Sequence, residues 1–399
     1  MNHTGSGTYP YDTEAKGTNS VKEALAALWA DPQSSVEVFI GAGTYDLDAQ
    51  LVFPNKAMVT GAGRDATFLA GYPERAIVVN REGSLVSSLS VTNCYGGFSI
   101  SKGRITDCRA ICCERSDGTG AGFECSGGLA DNCEAIDCRL SGSYSTGAGL
   151  HQTGGTVSNC VFRGGSFFGW VHPSFGKAVG AYVSGTSAKL LDCTVEDYDG
   201  YGNASGVFVA DGGAVVERCV IRNNRDELGG AVGAAVQLAG AGMVRNCLIV
   251  GNTISGNGNA PVCVNARSGI TLVNCTLVDN VAALTNLMVD ASSSVYNSII
   301  SEPVEKTAFA EGATVEHCCS PALAEGVNGN TAKDPKFKSV ARGDYRLKGG
   351  SPCIDAGDNS RWDGVVDPVD LNGEPRIRYG IVDMGCYENR RVGLTLLVR

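Results

Sequence analysis

The sequence predicts an all-β fold: a right-handed, single-stranded parallel β-helix (a solenoid) of about ten coils, with an N-terminal helical cap and an irregular C-terminal cap. Three observations carry this prediction. The 399-residue chain holds 54 Gly but only 12 Pro, and charged residues make up 19% of it. That composition suits a β-rich protein with many tight bends and not a helical bundle. Cysteine recurs at a long, regular interval, and an Asn or Asp stands directly before most of the recurring cysteines.

The N-terminal cap is read over residues 1–35. SVKEALAALWADP begins at Ser20 and predicts a helix with Ser20 as N-cap and Glu23 three residues on. Its apolar residues Val21, Leu25, Leu28 and Trp29 fall on one helical face. A solenoid end needs such a cover, because its last strand otherwise offers unpaired backbone groups. VEVFIGAGTYDL and MVTGAGRDATFL supply the first coils.

The β-helix is read over residues 36–320. GAGFECSGGLADNCEAI starts at Gly120, GAGLHQTGGTVSNCVF at Gly147 and GAYVSGTSAKLLDCTV at Gly180. Further copies start at Ser205, Gly233 and Ala260. Each unit divides into three short strands: Gly-Ala-x-apolar-x, then an apolar strand ending at Asn or Asp, then Cys-x-apolar. In LVNCTL, strict alternation puts Leu272 and Cys275 on opposite faces. A left-handed bend at Asn274 brings both inward, and Asn tolerates that conformation better than most residues. Asn132, Asn159, Asp192, Asn246, Asn274 and Asn297 therefore form a predicted corner column, interrupted by Arg218 and His317. Cys108, Cys133, Cys160, Cys193, Cys219, Cys247, Cys275 and Cys318 become an inward ladder of free thiols, with Ser298 as a substitute. Asn224, Asn252 and Asn280 form a second column five residues further on.

Residues 321–399 lose the repeat and form the C-terminal cap region, rich in turn signals. Its acids Asp355, Asp358, Asp363, Asp367 and Asp370 are of the type that holds Ca²⁺. Turn-forming aspartates are the preferred explanation, so no cofactor is assigned. The cysteines lack the close pairs and His partners of a metal site, and none is assigned.

A formal net charge of −10 and the absence of a Lys/Arg run argue against a nucleic-acid partner. No segment approaches the roughly 20 apolar residues of a membrane span. The start MNHTGSGTYPYD has no basic stretch followed by an apolar one. The expectation is a cytoplasmic protein or one whose leader is not part of this chain. Oligomeric state leaves no signal in the sequence.

The repeat, with Ser351-Pro352-Cys353-Ile354-Asp355-Ala356-Gly357-Asp358, Asp370-Leu371-Asn372-Gly373-Glu374-Pro375-Arg376 and Val382-Asp383-Met384-Gly385-Cys386-Tyr387-Glu388, resembles bacterial right-handed β-helix proteins of the pectate-lyase-like superfamily. More narrowly, it resembles the group whose C-terminal part is called the choice-of-anchor Q domain. The resemblance covers nearly the whole chain and implies a secreted or cell-surface protein. It also implies an anchor after the Tyr-Glu pair, which ENRRVGLTLLVR does not supply.

In β-helices that act on polysaccharides, the groove lies on the first strand and its neighbouring loops. Outward positions there are read as Gly122 and Glu124, Gly149 and His151, Tyr182 and Ser184, Phe208 and Ala210, and Gln237. Glu124 and His151 on adjacent rungs are an acid–base pair by residue type, with a surface ion pair or hydrogen bond as the preferred explanation. The long loop FRGGSFFGWVHPSFGK places Trp170 beside His172, and EDYDGYG in the next coil carries Asp197, Tyr198, Asp199 and Tyr201. Aromatic faces beside carboxylates suit a sugar-binding cleft, and two carboxylates at the right separation also hydrolyse glycosidic bonds; a small satellite core folded over the loop's own aromatics is the competing explanation. These eight residues are the candidate substrate-binding set; no catalytic residue is assigned. Polygalacturonase-type Asp-Asp and Gly-His-Gly patterns are absent. The leading expectation is a binding or display protein that meets polysaccharide or a partner through its loops. A polysaccharide lyase or glycoside hydrolase is the alternative, and a structural spacer the third reading.

Overall fold

The computed structural model describes residues 20–21, 23, 37–47, 49–52, 56–116, 118–142, 145–166, 179–200, 205–210, 212–226, 234–255, 261–366 and 368–390. The chain winds through three parallel sheets of 11, 12 and 11 strands, called here the first, second and third in the order of the sequence repeat. One coil shows the pattern. Phe123–Cys125 lies in the first sheet, Leu129–Asp131 in the second and Glu134–Ile136 in the third. Each pairs in register with its equivalents one coil away. The expected solenoid of about ten coils is present, with 11 or 12 strands in each sheet.

The corner between second and third sheets is left-handed at every predicted position, with φ of 50–54° from Asn132 to Asn297. Arg218 (φ 50°) and His317 (φ 51°) adopt the same bend, as do Ser88 and Asp107 upstream. The stacking of neighbouring coils thus imposes the conformation even on residues that pay about 1–2 kcal/mol for it. One residue later, the predicted cysteine ladder points inward, fully buried, and all seventeen cysteines are free. Burial pushes the Cys108 and Cys318 thiols up to about 12. Cys112 is exposed while Cys113 is buried, one out and one in. Cys318 and Cys319 are both buried, because Cys319 faces out of the helix but lies under the C-terminal region.

A second left-handed corner follows the third sheet at Asn93, Cys112, Asp137, Asp197, Asn223 and Asp279. The residue after it points inward. In the later coils that residue is Asn224, Asn252 and Asn280, an amide ladder. The Asn224 Nδ2 donates to Asn252 Oδ1 at 3.0 Å, and Asn252 Nδ2 donates to Asn280 Oδ1 at 2.9 Å. The run ends on the buried carboxylate of Glu302, which accepts from Asn280 Nδ2 at 3.1 Å and from Asn286 Nδ2 at 3.0 Å. Burial raises the Glu302 pKa.

At the N-terminal end, the Glu23 N–H donates to Ser20 Oγ at 3.2 Å, the expected cap bond, and Val21 is buried. Leu25, Leu28 and Trp29 lie outside the described residues. The far end is closed by Asn330, whose Oδ1 accepts from the Cys318 N–H and whose Nδ2 donates to Val315 O. The chain then turns back along the flank of the rod. Phe337, Tyr345, Leu347, Cys353, Met384 and Cys386 cover the outward face of the third sheet at Leu248, Val250, Val278 and Ile299. The corner asparagines hold this segment in place. Asn246 donates to Val369 O, Asn274 to Asp383 O and Asn297 to Asp358 O, at 2.7–2.9 Å. Two of the acids weighed as calcium ligands accept backbone N–H groups in the C-terminal region. Asp370 accepts backbone N–H groups from Asn372, Glu374 and Glu388, and Asp358 accepts from Ser360. Asp367 lies outside the described residues. Among the described residues, no helix is long and apolar enough to cross a membrane.

Candidate functional site

The outer face of the first sheet carries one side chain per rung in strict register. Ser99, Glu124, His151, Tyr182, Phe208, Gln237, Asn265 and Met288 follow one another along the rod. Parallel in-register strands about 4.8 Å apart force neighbouring side chains to stack. His151 and Tyr182 do so, with ring centroids 4.9 Å apart and planes 4° from parallel. Tyr182 and Phe208 continue the stack at 5.6 Å and 29°. His151 and Tyr182 are half-buried, and Phe208 is covered.

Glu124 stands one rung before His151, as the repeat predicted. Its carboxylate is already engaged: Arg75 Nη2 lies 2.9 Å from Oε2, and the Thr119 hydroxyl donates to Oε1 at 2.7 Å. Arg75 is 7% exposed and also donates to the carbonyls of Phe98, Gly120 and Thr119. Burial lowers its pKa to about 10, and Glu124 opposes that shift, so it stays charged at neutral pH. Burial also pulls His151 down to about 4; Glu124 opposes the shift and Arg75 adds to it. The imidazole is therefore neutral across the physiological range.

Next to Glu124 lies a surface cavity of about 460 Å³, whose walls include Glu74, Arg75, Tyr95 and Arg115. Arg75, Tyr95 and Arg115 went unrecognised in the sequence. They stand in the early coils, where the repeat is weakest, and Arg75 meets Glu124 across 49 residues of chain. Aligning YPERAIVV on the Gly-Ala strand was the available signal, since it puts Arg75 just before the first strand of its coil.

The remaining expected residues divide. Asp197 and Asp199 are exposed, at and just after the second corner. Asp199 opens a short strand, Asp199–Gly200, that pairs with Arg225–Asp226. Tyr198 between them does not face a cleft. It is 1% exposed and occupies the inward position that asparagine fills in later coils. Its ring packs where Gly149, Gly165 and Gly180 have no side chain. Among the described residues its hydroxyl has no hydrogen-bond partner, and burial raises the phenol pKa well above its usual value. The alternation that sends Asp197 and Asp199 outward is what sends Tyr198 in. Gly122 and Gly149 likewise do not point outward: a Cβ on Gly122 would meet the Ala135 Cβ at 2.7 Å, and one on Gly149 would strike the Tyr198 hydroxyl. Trp170, His172 and Tyr201 lie outside the described residues. Among the described residues, no group of three or more His, Cys, Asp or Glu is arranged to hold a metal ion.

The sequence profile of the family described as "Right handed beta helix region" matches residues 146–344. Together with the three parallel sheets, it identifies the fold as a right-handed parallel β-helix. No curated protein sequence matches the chain. Among solved structures, the chain is similar to the pectate lyase Pel9A, at 14% identity over 92% of this chain and 91% of that one, with a TM-score of 0.48. It is also similar to a PL6 alginate lyase in complex with a trisaccharide, at 12% identity over 89% and 93%, with a TM-score of 0.45. A third similar structure is PfbA, a surface adhesin of Streptococcus pneumoniae, at 10% identity over 74% and 89%, with a TM-score of 0.33.

Proposed function

We propose that this chain is a secreted or surface-displayed protein that binds polysaccharide along the outer face of its first sheet. The observation that carries this reading is the pair of half-buried stacked rings, His151 and Tyr182, with Glu124 on the preceding rung. Ring faces cover the C–H faces of sugars, while amides and carboxylates meet their hydroxyls. A rod with one such position per rung suits an extended chain better than a small molecule. Burial of every cysteine except Cys112 shields the thiols from oxidants. The three C-terminal motifs, which meet in one buried cluster, support a region of the choice-of-anchor Q type.

A lyase or hydrolase is the second reading, favoured by the neutral His151 one rung from Glu124. Binding ranks first because both Glu124 oxygens are already held by Arg75 and Thr119. One experiment separates the two. The protein is incubated with neutral and acidic polysaccharides, and retained and released material is sized by mass spectrometry. Retained, intact chains are expected, with retention lost in Tyr182→Ala. Shortened or unsaturated products would make it an enzyme, and unchanged retention in Tyr182→Ala would remove the site from the first sheet.

A further inference from the structure

We propose that Cys319 and Cys353 are the sites of a disulfide that ties the C-terminal region to the last coil of the rod. This goes beyond the glycan reading and does not depend on it. The two residues approach each other from opposite sides of one interface. Cys319 pairs with Ile299 on the preceding rung and, like it, points out of the third sheet, because Cys318 beside it points in. Cys353 belongs to the segment that lies over that face. Its carbonyl accepts the Met384 N–H at 2.9 Å, and a Cβ on the next residue, Gly385, would meet Ile299 Cδ1 at 2.7 Å. The chain that holds Cys353 thus passes over the rung next to Cys319. Both thiols are buried in one cluster and hydrogen-bond to each other, a contact that together with burial pushes the Cys353 pKa up.

The ladder thiols lack this geometry. Cys133 and Cys160 stand on in-register neighbours, with parallel side chains rooted about 4.8 Å apart. A disulfide needs Cβ atoms about 3.5–4.5 Å apart and side chains that turn toward each other. The ladder thiols instead bond back to their own coil, Cys133 Sγ to Asp131 O at 3.2 Å and Cys160 Sγ to Ser158 O at 3.0 Å. Cys319 Sγ donates out of the rod, to Lys333 O at 3.1 Å. Cys386, the third cysteine of the cluster, is held two rungs from Cys319, where its N–H donates to Thr276 Oγ1 at 3.0 Å. Forming the bond removes one proton and one electron from each thiol. A small-molecule disulfide takes up both electrons and both protons and leaves as two thiols, through a mixed disulfide on one cysteine that the other displaces. This exchange belongs to the stage of folding before the flank closes, and burial afterwards protects the bond from reductants. The bond closes the loop between Cys319 and Cys353 and so restricts the unfolded chain.

The test refolds the full chain from denaturant with a mixture of reduced and oxidised glutathione, or with reduced glutathione alone. Free thiols are then alkylated in denaturant, and the digest is mapped by mass spectrometry. With oxidant, one cross-linked peptide pair carrying Cys319 and Cys353 is expected, with the ladder cysteines alkylated. The oxidised wild type should melt about 5 °C above the reduced one, the scale of a loop of this length in a chain of this size. Cys353→Ser should melt at the same temperature under both conditions. Should that variant fail to fold, the peptide map of the wild type decides alone. Recovery of Cys319 and Cys353 in alkylated form, or a cross-link of either to another cysteine, overturns the bond. An oxidant-dependent melting temperature that persists in Cys353→Ser overturns it as well.

Discussion

Single residues in this rod owe their roles to the corner at which they stand. Tyr198 sits between two exposed aspartates in a segment that reads as a sugar cleft, yet it is core. Its ring replaces the amide of the later coils and leans on three glycines, while its hydroxyl finds no partner among the described residues. Tyr198→Phe should therefore stabilise the protein, by about 1–3 kcal/mol, because it removes an unsatisfied buried hydroxyl and keeps the ring. Tyr198→Ala should cost about 3–5 kcal/mol through the cavity it leaves. Chemical denaturation of the two variants checks this, and glycan retention should be unchanged in Tyr198→Phe. The same position shows why a residue's chemistry did not reveal its face: Asp-Tyr-Asp is compatible with either parity until the bend at Asp197 (φ 58°) is known.

Among elements, the amide ladder is the clearest case of a column that needs a defined end. Asn224, Asn252 and Asn280 each donate to the next, so the last donor requires a pure acceptor, which Glu302 supplies to both Asn280 and Asn286. Glu302→Gln should destabilise the last coils by about 1–3 kcal/mol, since one amide N–H then faces the donor of Asn286 or Asn280. Hydrogen exchange of the backbone around Asn280 and Ala282 should speed up, while exchange around Cys133 stays slow. Equal protection in both regions would show that the ladder does not depend on its terminus. The three asparagines were legible in the sequence from their spacing behind the cysteines. Glu302 was not, because it follows Ser298 by one residue fewer than the repeat requires, and only the stacked coil brings it to Asn280.

For the molecule as a whole, stability is divided between a repetitive rod and a flank that the C-terminal region covers. That region buries Glu388, Asp383 and Asp370 around Arg376, whose side chain is fully buried with Nε 3.3 Å from Glu388. Burial raises Glu388 to about 8 and Asp383 to about 6, with Arg376 opposing both shifts. A carboxyl whose folded pKa lies above its unfolded value stabilises the fold below the unfolded pKa, and that stability is lost as pH rises through the folded pKa. The melting temperature should accordingly fall between about pH 5 and pH 8.5. Glu388→Gln should flatten the upper part of that slope, which a thermal scan at fixed salt would reveal. A chain ending at Lys333 should aggregate, because it exposes Leu248, Val250, Val278 and Ile299 on one face. A monodisperse truncated chain in light scattering would contradict the flank's need for cover.

Strand, bend and ladder could be read from the sequence because each is a local rule repeated many times. Alternation puts every second side chain inward, Asn and Asp mark the left-handed corner, and a small residue after the corner packs against its neighbours above and below. One coil suffices to state the rule and the repeats average out its exceptions, such as Arg218 and Ser298. What the tertiary structure alone decided are contacts between positions with no shared period. Arg75 reaches Glu124 from two coils away, the corner asparagines turn out to dock residues 358–385, and Gly149 proves to be the space for Tyr198. Such contacts depend on how many residues each loop inserts between strands, and so on which side chains stacking finally sets a few ångströms apart.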